Sequence, residues 1–175
     1  DNVIARNSPG STLKPFTYMT AFMNGWGTKT TILDTPVAVY DPVTKADFSP
    51  TNPTNTYLGP IAADKALGNS LNVAAIKTII AAGVQNTIAT LKKVGYTTFD
   101  NEGGYGPALT TGGSEITLLD QAIGYSVLAN NGIMRGQDAV VTPHTDPATR
   151  TIEPIALLKV VDADKKVLYE YKQPV

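Results

Sequence analysis

The residues best suited to covalent chemistry in this sequence are a serine and a lysine three positions apart. Ser11 and Lys14 follow a Pro9-Gly10 turn at the start of a predicted helix, so both side chains lie on one face, one turn apart. A serine hydroxyl needs a nearby base to act as a nucleophile, and a lysine can be that base when desolvation and a neighbouring positive charge lower its pKa. The free N–H groups of the helix start would stabilise negative charge on a reacting carbonyl. By itself the spacing more often marks a capping serine followed by a solvated lysine, because about one such pair is expected by chance in a chain of this length.

A second polar pair, Ser70 and Asn72, lies at a break between two helical patterns. Such a break can turn both side chains into a cleft, where a hydroxyl passes on a proton and an amide holds a substrate backbone. Taken alone, a helix boundary is the more common meaning, because Asn and Ser prefer caps.

Composition excludes several other kinds of site. Hydrophobic residues make up 42% and charged residues 17% of the 175 residues, which is typical of a globular domain. The net charge is −1 without a basic block, so nucleic acid is not an expected partner. With no cysteine and one histidine, the sequence offers no disulfide, thiol nucleophile or multi-histidine metal site. A Ser–His–Asp triad could use only His144, for which a surface loop position is expected.

Helix and turn signals predict an α+β fold that is predominantly helical. Ser11 is a good N-cap residue, and Thr117 and Asp120 resemble a capping box. The predicted elements are the helix carrying Ser11 (11–22), a long loop (24–60), a helical region (61–132) and a β-hairpin (155–171).

Together the two polar pairs match a known motif set. A Ser-x-x-Lys followed by a Ser-x-Asn opens the set found in penicillin-binding proteins and serine β-lactamases. Residues 9–16 (PGSTLKPF) resemble the nucleophile segment of class A, bifunctional penicillin-binding proteins, and residues 66–75 (ALGNSLNVAA) resemble their second motif. Residues 57–59, 109–132 and the closing hairpin are similar to the family's segments at the same places, so the resemblance is collinear over nearly the whole chain.

This resemblance implies a β-lactamase/transpeptidase-like fold, of which the chain would hold the helical part and a β-hairpin while lacking most of the central sheet. The family's third motif, Lys-Thr-Gly or Lys-Ser-Gly, does not occur in the sequence. In the family its strand lines the cleft and supplies one oxyanion-hole donor, whose loss typically costs about 2.7–4 kcal/mol of transition-state stabilisation. We therefore expect a partial transpeptidase domain (1–175) with exposed apolar helix faces, which self-associates or pairs with the missing part.

The resemblance also implies the activity, a cross-linking of peptidoglycan stem peptides through a serine acyl-enzyme. Ser11 would be the nucleophile, Lys14 its base, Ser70 a proton relay and Asn72 a substrate-binding residue. Stem peptides and β-lactams would be the partners, and no metal or organic cofactor is implied. The parent protein would be membrane-anchored at the extracytoplasmic face of a bacterial cell membrane.

Two alternatives stay open. The first is a hydrolase on the same scaffold, a β-lactamase or D,D-carboxypeptidase, although no Glu-x-x-x-Asn deacylation segment follows the second motif. The second is a non-catalytic fragment or sensor module, which the missing third motif favours.

Overall fold

Five α-helices form the centre of the described part of the chain. The computed structural model describes residues 3–100, 104–139 and 150–172. Within them the fold is α+β and predominantly helical, as predicted. The helices are α1 (Lys14–Met23), α2 (Ala63–Gly68), α3 (Asn72–Ala82), α4 (Val84–Lys93) and α5 (Leu118–Ala129), with 3-10 turns at Gly10–Leu13 and Pro107–Thr111.

Short antiparallel strand pairs surround these helices. The strands are β1 (Arg6–Asn7), β2 (Thr31–Asp34), β3 (Val39–Asp41), β4 (Ala46–Phe48), β5 (Gly59–Ala62), β6 (Ile116–Thr117), β7 (Gln137–Asp138), β8 (Ile152–Glu153), β9 (Lys159–Val161) and β10 (Val167–Glu170). They pair as β1–β6, β2–β5, β3–β4, β7–β8 and β9–β10, and each described sheet has two strands.

The loop predicted over 24–60 is wrong in part, because this segment contains β2, β3, β4 and the first residues of β5. Along β2 exposed and buried residues alternate, with Ile32 and Asp34 facing inward. Its partner β5 is distant in sequence, with Thr31 opposite Ala62. Strands of three or four residues among prolines and threonines leave little periodicity, and their partners are not visible in a local pattern.

Two clusters of buried side chains form the core on different faces of α1. Phe16 belongs to one cluster and Tyr18 to the other, and both side chains are fully buried. Their spacing of two positions directs them to different sides of the helix. Residues of α3 contribute to both clusters, and this helix is apolar on nearly all sides, as a surrounded helix must be. The packing of α1 along α3 brings their first residues, Lys14 and Asn72, together.

The predicted capping box at the start of α5 is half formed. The Thr117 hydroxyl accepts a hydrogen bond from Asp120 N at 3.1 Å. The Asp120 carboxylate does not return this contact. It accepts from Thr98 N at 3.1 Å and forms a buried ion pair with Arg150 at 2.5 Å, in which the side chains are 1% and 8% exposed. The Asp120 carboxylate thus binds Arg150 instead of capping α5, and it links this helix to the segment that leads into β8.

The C-terminal hairpin is shorter than the alternation at 155–171 predicts. Residues 155–158 lie outside any strand, and the pairing of β9 with β10 is irregular between Val167 and Tyr169. The turn is closed by Asp162 Oδ1, which accepts from the backbone N of Asp164 and Lys166 at 3.0 and 2.9 Å. All residues of β10 are exposed.

On α5, the large apolar side chains of Leu118, Tyr125 and Leu128 are 61%, 39% and 37% exposed. These three side chains form an exposed apolar surface on α5. Among the described residues no single helix is long and apolar enough to cross a bilayer. The pair α3 and α4 meets that test only when joined across a bend of 89°.

Candidate active site

Lys14 joins the two polar pairs into one cluster. Its Nζ donates to Ser70 O at 2.6 Å, to Ser70 Oγ at 3.1 Å and to Asn72 Oδ1 at 2.7 Å. The residue is 1% exposed, so these three acceptors take the place of water around its three N–H donors. We call Lys14, Ser70 and Asn72 the Lys14 cluster.

Burial lowers the pKa of Lys14 from 10.5 to about 8. The cause is desolvation, because an ammonium loses more solvation energy on burial than a neutral amine does. Every group that hydrogen-bonds to Nζ is neutral, so no carboxylate among them opposes the shift. The lowered pKa makes Lys14 a base that can accept a proton near neutral pH.

Ser70 has a strained backbone conformation. Its φ is +53°, in the left-handed region where glycine is usual. After α2, Ser70 N donates to Leu67 O and Leu71 N to Ala66 O, which is the hydrogen-bond pattern of a Schellman helix end. A serine at this position costs backbone energy that glycine would avoid, and such strain is most often found at functional sites. In exchange, the site gains a hydroxyl beside Lys14.

Asn72 is the first residue of α3, and each part of its amide has a partner. Oδ1 accepts from Lys14, and Nδ2 donates to Thr51 O at 2.8 Å. Its backbone N donates to Asn52 Oδ1 at 2.9 Å. An amide nitrogen carries two hydrogens, so within the described residues one Nδ2 hydrogen remains for another acceptor.

Ser11 precedes Lys14 in the chain by one helical turn and has no hydrogen bond to the Lys14 cluster among the described residues. It is exposed, inside the 3-10 turn, and Lys14 N donates to its carbonyl. Among the described residues no hydrogen bond is formed by Ser11 Oγ. The predicted capping role of Ser11 is wrong: Pro9 precedes the 3-10 turn, and neither this turn nor α1 has a side-chain cap. The hydroxyl is therefore free, one helical turn before Lys14.

A further residue, Asn52, contacts the cluster through Asn72 and was not predicted as a site residue from the sequence. The signal available was weak, because an Asn-Pro dipeptide in a Pro- and Thr-rich stretch usually marks a turn. His144 lies outside the described residues. Within those residues no group of three or more His, Cys, Asp or Glu side chains could hold a metal ion.

Comparison with known proteins identifies the family. The family described as penicillin binding protein transpeptidase domain matches residues 2–148. The chain is 28% identical over 170 residues to penicillin-binding protein 1A of Pseudomonas aeruginosa, covering 97% of this chain and 18% of that protein. It is 30% identical over 168 residues to penicillin-binding protein 1A of Aquifex aeolicus, covering 96% of this chain and 20% of that protein. The chain thus spans about a fifth of the length of these curated relatives.

Solved structures give the same assignment. The crystal structure of penicillin-binding protein 1A from Haemophilus influenzae matches with a TM-score of 0.76 and 27% identity over 97% of this chain and 22% of that chain. The PonA1 protein of Mycobacterium tuberculosis in complex with penicillin V matches in fold, with a TM-score of 0.73 and 21% identity over 97% of this chain and 43% of that chain. The predicted resemblance is confirmed, and the chain belongs to the penicillin-binding protein transpeptidase family.

Proposed function

We propose that this chain carries the nucleophile-bearing part of a D,D-transpeptidase active site. Ser11 is the nucleophile, Lys14 the base, Ser70 the proton relay and Asn72 the residue that binds the substrate backbone. The substrates are peptidoglycan stem peptides ending in D-alanyl-D-alanine.

In the proposed reaction Ser11 Oγ attacks the carbonyl between the two D-alanines and gives up its proton to the Lys14 amine. Ser70 Oγ, at 3.1 Å from Lys14 Nζ, relays a proton to the leaving amine as the terminal D-alanine departs. The acyl group is then on Ser11, until an amine of a neighbouring stem peptide attacks the ester carbonyl. The bond to Ser11 Oγ breaks, and the proton lost by the amine returns to Ser11 Oγ through Lys14. The free Nδ2 hydrogen of Asn72 binds a carbonyl of the substrate backbone.

One observation supports this proposal most strongly. The amine of Lys14, from the first polar pair, is buried and hydrogen-bonded to both members of the second pair. A solvated lysine after a capping serine would have neither the burial nor these partners. Lys14 thereby connects the two pairs in space, although Ser70 and Asn72 follow it by 56 and 58 residues in the sequence.

β-Lactams are the second proposed class of ligand. The structural relative PonA1 is described in complex with penicillin V, and a strained lactam amide would acylate Ser11 as the D-alanyl-D-alanine amide does. By the same family argument, we propose that the parent protein is anchored at the extracytoplasmic face of a bacterial cell membrane.

A non-catalytic portion of the same fold is the second candidate. One observation favours it: Ser11 Oγ has no hydrogen bond to Lys14 among the contacts of the described residues. In that case the chain folds, and associates with itself or with the rest of the domain through its exposed apolar surfaces, without being acylated.

A time course with fluorescent penicillin separates these possibilities. A transpeptidase site gives a burst of one label per chain that then stops, and a β-lactamase gives continued turnover of penicillin. A D,D-carboxypeptidase also stops at one label, and is distinguished by continued release of D-alanine from a D-alanyl-D-alanine peptide without an acceptor amine. The Ser11→Ala variant should lose the label, whereas Ser8→Ala, which changes an exposed neighbouring hydroxyl bonded to Gly112 O, should keep it. Equal labelling of wild type and Ser11→Ala would refute the assignment of the nucleophile.

A further inference from the structure

Asn52 caps the start of α3 from a distant part of the chain. Its Oδ1 accepts from the backbone N of Asn72 at 2.9 Å and of Val73 at 3.2 Å. Both N–H groups belong to the first turn of the helix, where no partner exists within the helix itself. Asn52 is 1% exposed, so water does not replace these contacts. The placement of Asn72 therefore depends on a residue of the long segment before β5.

The residue beside Asn52 fixes the orientation of the Asn72 amide. Thr51 O accepts from Asn72 Nδ2 at 2.8 Å, which directs Oδ1 to Lys14 Nζ at 2.7 Å. A flipped amide would place its NH₂ against the lysine nitrogen and its oxygen against the Thr51 carbonyl, so both contacts would become unfavourable. Residues 51–52 thus hold Asn72 by its backbone and by its side chain.

A buried carboxylate sets the orientation of Asn52 in turn. Both oxygens of Asp34 accept from Asn52 Nδ2 at 3.0 Å, and Leu58 N donates to Oδ2 at 2.9 Å. An ionised carboxylate only accepts hydrogen bonds, so the NH₂ of Asn52 must face it and Oδ1 must face α3. Asp34 is fully buried and has no salt bridge among the described residues, although Lys77 binds the carbonyls of the flanking Leu33 and Thr35. A buried charge with mainly neutral partners is costly. The Asp34 carboxylate here fixes the orientation of the Asn52 amide, with Nδ2 toward Asp34 and Oδ1 toward α3.

We propose that Asn52, oriented by Asp34, is a positioning residue for the Lys14 cluster. It holds the start of α3 so that Asn72 Oδ1, rather than water, accepts from Lys14. The inference rests on the proposed function for its meaning, because a dry and oriented Lys14 matters most if it is the base. Its test does not rest on that function, because the protonation of Lys14 can be measured without any acylation.

The experiment follows the titration of Lys14 by NMR, using lysine isotope-labelled at Cε in the full chain, with the signal assigned from a Lys14→Arg variant. The test variants are Asn52→Ala and Asn52→Ser, and only variants with a native circular dichroism spectrum are compared. The serine is a polar replacement, but its hydroxyl is one bond shorter than the asparagine amide and cannot bridge Asp34 and the start of α3 as that amide does. The matched control is Asn86→Ala, because Asn86 Nδ2 caps the other end of α3 at Ala82 O, far from the cluster.

In the wild type and in Asn86→Ala we expect Lys14 to titrate near the same lowered value. In the Asn52 variants its pKa should rise by about one unit or more, because water reaches the amine once Asn72 is no longer held. This result should appear even if penicillin never labels the chain, which separates it from failure of the proposed function. A folded Asn52→Ala or Asn52→Ser protein in which Lys14 titrates as in the wild type would overturn the proposal, as would an equal shift in Asn86→Ala.

Discussion

The proposed role of Lys14 predicts how acylation of Ser11 by penicillin depends on pH. A base must be deprotonated to act, and burial lowers the pKa of Lys14 to about 8. At about pH 7 a lysine with that pKa is a free amine in about one molecule in ten, against about one in 3,000 for an ordinary lysine, so burial increases the active form about 300-fold. The acylation rate should therefore rise about tenfold per pH unit below pH 8 and level off above it.

The assay measures the pseudo-first-order rate of labelling by fluorescent penicillin from about pH 6 to about pH 9, where the proposed base titrates. Lys14→Arg, which keeps the positive charge but cannot deprotonate, should lower the plateau rate by about 10²- to 10⁴-fold, the usual contribution of a general base. Lys77→Arg is the matched control, since Lys77 also donates to backbone carbonyls but lies outside the cluster. A rate that is constant over this range, or a Lys14→Arg protein that keeps the wild-type profile, would show that Lys14 is not the base.

Three further predictions concern stability and are measured by urea or pH-induced unfolding. Arg150→Met leaves the buried Asp120 carboxylate without its cation and should lower the free energy of unfolding by about 3–5 kcal/mol. Arg6→Met breaks the ion pair with Asp100, in which both side chains are 46% exposed, and should lower it by less than about 1 kcal/mol. Ser70→Gly should be more stable than Ser70→Ala by about 1 kcal/mol, because only glycine adopts the positive φ without strain; equal stabilities would contradict the strain. Burial raises the pKa of Tyr18 to about 12, so the stability that Tyr18 contributes is complete below its unfolded pKa and should be lost as pH rises from 10 to 12. Tyr18→Phe should remove that part of the fall in the free energy of unfolding at alkaline pH. An unchanged fall in the variant would contradict the prediction.

The two polar pairs could be recognised from the sequence because each is a local pattern. Residue type and spacing are enough to find the serine and lysine one helical turn apart, and the break between helices at Ser70 and Asn72. The resemblance of the flanking segments to one family then implied that the two pairs work together. The start of α1 lacks the side-chain cap that Ser11 predicts, and the start of α3 is capped by the distant Asn52.

What the sequence could not reveal depends on contacts between distant residues. The strand β2 gains its identity from pairing with β5, and no property of residues 31–34 alone indicates that partner. Asn52 lies in a segment whose composition is typical of a turn. Its cap on α3 depends on Asp34, which is distant in sequence and orients its amide. The carboxylate of Asp120 fits a capping box locally, but the tertiary structure places Arg150 within reach, and the ion pair replaces the reciprocal cap.

In the proposed function, Ser11 and Lys14 form an assembled acylation site in this chain. The most direct test is intact-mass and peptide-mapping analysis after incubation with penicillin, with Ser11→Ala treated in parallel. We expect one penicillin-derived adduct per chain, located on the peptide that contains Ser11 and absent from the variant. No adduct, or an adduct on another residue that persists in Ser11→Ala, would contradict the claim and leave the chain as a non-catalytic portion of the transpeptidase fold.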